Sequence, residues 1–190
     1  MESTNLIFCG LGGQGILFMT RVVAQTALHN GLPVMGAETH GMAQRGGSVI
    51  SHLRLGDVES SLVKKGSAHI LLALDENECY RNLPFLSRGS LLFVDGADAP
   101  FPRDEVKDYL GKKAIQYHAF GAAKVAAQLN APRSSNLALL GYFSAFHNKM
   151  MTHGDMKTTV RTISPERFKE INLQVFDAGY ERGMADKGHD

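Results

Sequence analysis

The segment Gly10-Leu11-Gly12-Gly13-Gln14-Gly15 constrains this chain most. It lies between a short apolar run, Asn5–Cys9, and a stretch with apolar residues at helical spacing (Ile16, Leu17, Val22, Val23, Ala27, Leu28). An apolar run of that length before a glycine cluster reads as a buried strand, and the spacing after it predicts a helix from Gln14 to about Asn30. Glycine at 10, 12 and 15 permits a tight turn and close backbone approach where strand becomes helix, and the free N–H groups of a helix start can receive an anion. Gly31 and Pro33 then stop the helix, and Pro33–Ala37 reads as a second strand. Strand, turn, helix and strand in that order predict a βαβ unit of a parallel sheet.

The remaining punctuation fits a chain of this type. Ser48–Leu55 and Val58–Val63, separated by Gly56-Asp57, are predicted to form an antiparallel hairpin appended to the sheet. His69–Leu74 is a buried strand, and Asp75 is placed to cap a helix reaching about Leu86. Ser90–Val94 and Ala114–His118 read as strands, Asp98–Arg103 as a loop and Ala122–Leu129 as a short helix. Ser135 or Asn136 caps a helix to about Met150 whose apolar residues circle it completely. Such a helix is buried on more than one side, either under the chain's own elements or against a partner. Thr152–Thr162 reads as polar and turn-rich. Ser164-Pro165-Glu166 starts a last helix to about Met184, with a disordered tail over 185–190. The expected fold is a single domain over 1–184: three-layer α/β/α, with a Rossmann-like, mostly parallel sheet and one antiparallel hairpin.

Several function classes lose support early. The net charge is +1 with no basic block, which leaves nucleic-acid binding without its electrostatic basis. No apolar run approaches the roughly 20 residues that span a bilayer, and the N-terminus does not resemble a secretory signal, so no membrane association and a cytoplasmic location are expected. Cys9 and Cys79 are far apart and neither belongs to a C-x-x-C pair, so they are read as small buried hydrophobes in place of cluster or zinc ligands. No metal site is expected, and Asp95-Gly96-Ala97-Asp98 reads as a strand-end turn.

The second chemistry-bearing stretch is Glu38-Thr39-His40-Gly41-Met42-Ala43-Gln44-Arg45-Gly46-Gly47. It follows the second strand, at the sheet edge that also carries the glycine turn, where ligands gather in open parallel sheets. Glu38 stands near where a ribose-binding acid would sit, so a dinucleotide site is one reading. Arg45 can fork two hydrogen bonds to a phosphate or carboxylate, and Gly46-Gly47 admits unusual backbone angles. The candidate binding residues are therefore Gly10, Gly12, Gly13, Gln14 and Gly15, with Glu38, Thr39, His40, Gln44, Arg45, Gly46 and Gly47 in ligand or partner contact. The plainer alternative is that the first set only packs helix on sheet and the second only meets a neighbouring subunit. No catalytic residue is assigned.

Together the two stretches resemble the gamma-type subunit or domain of the 2-oxoacid:ferredoxin oxidoreductase family, whose signature is a G-x-G-G-Q-G turn followed by a polar loop ending in Arg-Gly-Gly. Ala73-Leu74-Asp75, Asn136 with Leu140-Gly141, and Asn172 with Phe176 and Gly179 extend the resemblance along the chain. Pyruvate- and oxoglutarate-type members carry a Gly-Pro-Glu version of the second loop. The form from Glu38 to Arg45 looks instead like the beta subunit of the indolepyruvate branch. The resemblance implies oxidative decarboxylation of an aryl pyruvate with coenzyme A as co-substrate and ferredoxin as electron acceptor. Pyruvate, branched-chain 2-oxoacids and 2-oxoglutarate are the alternative substrates. It also implies that thiamine diphosphate, Mg2+ and iron–sulfur clusters reside in a larger alpha subunit, because this chain has neither a Gly-Asp-Gly motif nor a cysteine set. On this reading the isolated chain is inactive and could form a homodimer through the surface meant for its partner. An independent nucleotide-binding module and a ligand-free assembly subunit are the competing readings.

Overall fold

The computed structural model describes residues 3–40, 46–96, 100–146 and 150–188. Six strands form one sheet: β1 (Thr4–Leu11), β2 (Val34–His40), β3 (Ser48–Leu55), β4 (Ala68–Ala73), β5 (Leu86–Asp95) and β6 (Gln116–Phe120). Their order across the sheet is β2-β3-β1-β4-β5-β6. β1, β4, β5 and β6 pair in parallel, whereas β3 runs antiparallel to both β1 and β2. The helices are α1 (Ile16–His29), α2 (Glu76–Asn82), α3 (Asp104–Lys112), α4 (Ala122–Gln128), α5 (Ser135–Phe146), α6 (His153–Ile163) and α7 (Lys169–Lys187).

The mostly parallel three-layer architecture agrees with the sequence, but its hairpin is built from different strands. Ser48–Leu55 pairs with Val34–His40, while 58–63 forms no strand and tucks Val63 into the core. The opening βαβ unit is split as a result: β3 occupies the place beside β1 that β2 was expected to take. Strand alternation supplies both layers of the core. Leu6 and Phe8 face the layer of α1, α5 and α7, and Ile7 and Cys9 face that of α2 and α3.

Local signals explain most helix ends. Gly31, at φ 77, follows α1, where Gly31 N–H donates to Leu28 O and Leu32 N–H to Ala27 O, the paired bonds that close a helix on a left-handed residue. Asp75 accepts from Glu78 N–H at 3.0 Å. The stretch 152–162, expected to be turn-rich, is instead the N-cap and nearly the whole of α6, held by a capping box between Thr152 and Asp155. α3 follows the proline-containing loop with Asp104 and Glu105 in its first turn, and was not anticipated. α7 continues through Lys187, past the expected end at Met184. Tyr142 donates to Asp186 at 3.0 Å and Lys187 to Ala145 O at 3.1 Å, so 185–187 are tied down.

α5 is buried by the chain itself. Every residue from Asn136 to Ala145 is buried, most heavily by α7. Ser134 meets Asn172 at one end of the pair and Ala145 meets Lys187 at the other, so the two helices run parallel. A Cβ at Gly141 would lie 1.9 Å from Phe176 O, and one at Gly179 2.0 Å from Ala138 O. Only glycine allows that approach.

Candidate functional site

The glycine turn and the second loop meet at the carboxyl edge of the parallel strands. β2 and β1 run in the same direction with β3 returning between them, so Gly47 arrives beside the turn. Gly12 N–H donates to Gly47 O at 2.8 Å, and a Cβ on Gly12 would touch Gly46 N at 3.5 Å. Two motifs far apart in sequence therefore form one backbone ledge.

Each neighbour of the ledge has an identifiable task. Gln14 Oε1 accepts from Leu11 N–H at 2.6 Å and its Nε2 donates to Leu74 O at 3.1 Å, which brackets the turn onto the exit of β4. Gly15, at φ 86, begins α1 with no side-chain cap, and no acid stands in the first turn. The α1 N-terminus thus keeps backbone donors and the positive end of its dipole available for an anion. Gly13, at φ 99, has open space where a side chain would be. Asn136 of α5 donates to Gly15 O at 3.2 Å. Glu78, a buried carboxylate on α2, accepts from Ser48 at 2.6 Å and from Arg81 at 2.6 Å, which fixes the point where the second loop re-enters the sheet.

The structure brings together Gly10, Gly12, Gly13, Gln14, Gly15, Gly46 and Gly47. It separates Glu38 from them. Because β3 intervenes, Glu38 stands on the second strand out from the turn, roughly 9–10 Å across the sheet, where a conventional dinucleotide fold has an adjacent strand at about 4.8 Å. Glu38 lines a groove of about 540 Å³ between α1 and β2, floored by Leu53 and by Ser51, whose buried hydroxyl has no partner among the described residues. Thr39 is exposed next to it and His40 ends β2. The positions expected of Gln44 and Arg45 lie outside the described residues. Sequence reading missed Glu78, whose signal was an acid three residues after a cap, a pattern shared by many ordinary helix starts.

Cys9 and Cys79 are both fully buried, and burial, reinforced by nearby Glu78, Glu76 and Asp75, pushes both thiols well above their ordinary range. Two thiols are half the usual ligand set of a cluster, so this donor set does not fit an iron–sulfur group. His153 contacts Ser144 at 3.0 Å and Asp177 at 3.2 Å, the order of partners found in serine hydrolases. Here, however, Ser144 is inside α5, donates to Gly141 O at 2.6 Å and is 2% exposed, and His153 is stacked on Tyr180. The array braces α5, α6 and α7. Asp95 ends β5 and accepts from Ala123 N–H at 3.2 Å, which fixes the start of α4. No helix among the described residues is long and apolar enough to cross a membrane.

A family model described as pyruvate ferredoxin/flavodoxin oxidoreductase matches residues 5–182. The indolepyruvate oxidoreductase subunit IorB of Thermococcus kodakarensis is 31% identical over 196 residues, covering 94% of this chain and 95% of its own. The gamma subunit of a keto/oxoacid ferredoxin oxidoreductase from Geobacter sulfurreducens superposes with a TM-score of 0.74 at 24% identity, covering 96% of this chain and 99% of that one. A 2-oxoglutarate:ferredoxin oxidoreductase from Magnetococcus marinus superposes with a TM-score of 0.79 at 20% identity, where the match covers 97% of this chain and 32% of that longer one. In the second of these structures the same fold is one segment of a larger polypeptide.

Proposed function

The chain belongs to the pyruvate ferredoxin/flavodoxin oxidoreductase family, and from that premise we propose that it is the small subunit of an aryl pyruvate (indolepyruvate-type) 2-oxoacid:ferredoxin oxidoreductase. Its complex would decarboxylate the 2-oxoacid oxidatively, transfer the acyl group to coenzyme A, and pass the electrons to ferredoxin. The observation that carries the subtype is near-full-length similarity to the Thermococcus IorB subunit at 31% identity. A cluster of the usual kind takes four cysteines and this sequence has two, both buried and distant in sequence, which supports assigning the iron–sulfur clusters to a larger partner that would also hold thiamine diphosphate with Mg2+.

The part this chain plays is set by its ledge. The uncapped start of α1 and the Gly12–Gly47 junction offer backbone donors at the sheet edge where ligands gather in α/β folds. They suit either the anionic portion of coenzyme A or an acidic group of the partner. Gln14, Asn136 and Glu78 hold that ledge in place. Arg45, Gln44 and the Glu38–His40 strand end would complete the contact. The protein acts in the cytoplasm, and alone it is inactive and able to pair with a second copy through the partner-facing surface.

The test is reconstitution with the larger thiamine- and cluster-bearing chain. Ferredoxin reduction is followed with indolepyruvate, pyruvate, 2-oxoisovalerate and 2-oxoglutarate in the presence of coenzyme A. Activity only in the complex, with kcat/KM highest for indolepyruvate, is expected. A preference for a small 2-oxoacid overturns the subtype, and an Arg45→Ala complex with unchanged assembly and activity removes the second loop from the proposal.

A further inference from the structure

We propose that the cavity at the shared N-terminal end of α5 and α7 binds a small ligand in which one carboxylate or phosphate is carried on a flat apolar body. The inference is independent of the subunit assignment and of the glycine ledge. The cavity measures about 590 Å³, which lies within the usual range for small-molecule sites. Its apolar lining comes from buried Leu137, half-buried Phe18 and Ile171, and exposed Phe168. Its only charged lining groups, among the described residues, are the guanidiniums of Arg133 and Arg167.

Neither guanidinium is neutralised within the described residues. Arg133 has no ion-pair or hydrogen-bond partner there, and Arg167 rests its guanidinium 4.6 Å from the Phe168 ring. The neighbouring acid, Glu166, is engaged by Lys169 instead. The two cations are presented alike: each stands in a one-turn 3-10 helix introduced by proline, Pro132 before α5 and Pro165 before α7. Proline fixes its own φ and so stiffens both turns. The fold has therefore placed two unpaired forks around one apolar hollow, and a pair of carboxylate or phosphate oxygens matches such a fork in bidentate fashion.

The parallel packing of α5 and α7 reinforces the site. Since Gly141 and Gly179 let the helices run side by side in one direction, both helix starts face the cavity and their dipoles add. Asn136 and Asn172, both more than nine-tenths buried, form part of the wall and hold its shape, Asn172 by accepting from Ser134 at 3.1 Å and donating to Ser164 at 3.0 Å. Asn136 also reaches Gly15 O, which links the cavity to the back of the glycine turn. A bare inorganic anion would satisfy the arginines and leave Phe18, Leu137, Phe168 and Ile171 uncontacted. The lining thus selects an aromatic or similarly flat body, as in an aryl carboxylate or a nucleotide monophosphate.

Calorimetric titration of the full chain with phenylpyruvate, adenosine 5′-monophosphate and inorganic phosphate tests this without any turnover. One aromatic anion is expected to bind one-to-one with a Kd below about 1 mM, at least roughly tenfold tighter than phosphate. Which of the two binds identifies the source of the anion. Arg133→Gln and Arg167→Gln should each weaken binding about tenfold, and together about a hundredfold, with unchanged melting temperature in the absence of ligand. Binding that survives the double variant, phosphate binding as tightly as either aromatic anion, or no binding by any of the three overturns the proposal.

Discussion

Glycine does opposite work in two regions of this molecule. Between α5 and α7 it removes side chains so that backbone can touch backbone: added Cβ atoms at Gly141 and Gly179 would lie about 2 Å from carbonyl oxygens. At the sheet edge, Gly13 and Gly46 adopt left-handed φ of 99° and 72°, with no described residue within 4 Å of where a Cβ would be. The first pair is required by contact and the second by conformation. The same residue type therefore marks a sealed interior in one place and an open ledge in the other, and only the tertiary structure distinguishes them.

The sharpest way to break this comparison is Gly141→Ala. The helices would have to separate, and overpacking of that severity should lower stability by about 3 kcal/mol or more, read from the denaturant midpoint. A loss below about 1 kcal/mol would show that α5 and α7 are not locked. Next in size is Glu78→Ala, which removes a buried acceptor from Ser48 and Arg81 and should cost about 1–3 kcal/mol. Gly13→Ala should cost only about 1–2 kcal/mol, for a left-handed φ with no clash. If the ledge meets ligand or partner, its effect on the assembled enzyme should exceed its effect on melting. Equal destabilisation by Gly13→Ala and Gly141→Ala would erase the distinction.

The smallest expected effect is on pH dependence. Burial lowers the pKa of His52 and of His153 below the ordinary 6.5, in His153 against the opposing pull of Asp177. The unfolded chain then takes up protons more readily than the folded one as pH falls below 6.5. The contribution of these two groups is fully present above that value and is lost as pH drops toward their folded pKa values. Melting temperature should decline from pH 7 to 5, and the decline should flatten in His153→Phe, which keeps the stacking on Phe176 and Tyr180.

Much of this was legible where the signal is local. The strand before the turn, the start of α1, its stop at Gly31 and the Asp75 cap all rest on residues close in sequence. The failures of strand pairing have a long-range cause. Nothing within 34–63 says that β3 pairs back onto β2 and slips between it and β1, since an alternating strand fits either partner. The displacement of Glu38 from the glycine turn follows from that one pairing. α6 was hidden by its threonines, although Thr152 and Asp155 carried a capping signal. Gly141 and Gly179 could be matched to family motifs, yet their purpose appears only once α5 lies against α7.

The hydrogen bond from Gly12 to Gly47 has a practical corollary for recombination. Residues 10–15 and the end of the 38–47 segment are stitched through backbone atoms, with Gln14 and Glu78 as fasteners on either side. A chimera that imports a relative's polar loop alone would set a foreign carbonyl against the native turn. The unit of exchange between relatives of different substrate preference is the pair of segments with both fasteners, moved as one cassette.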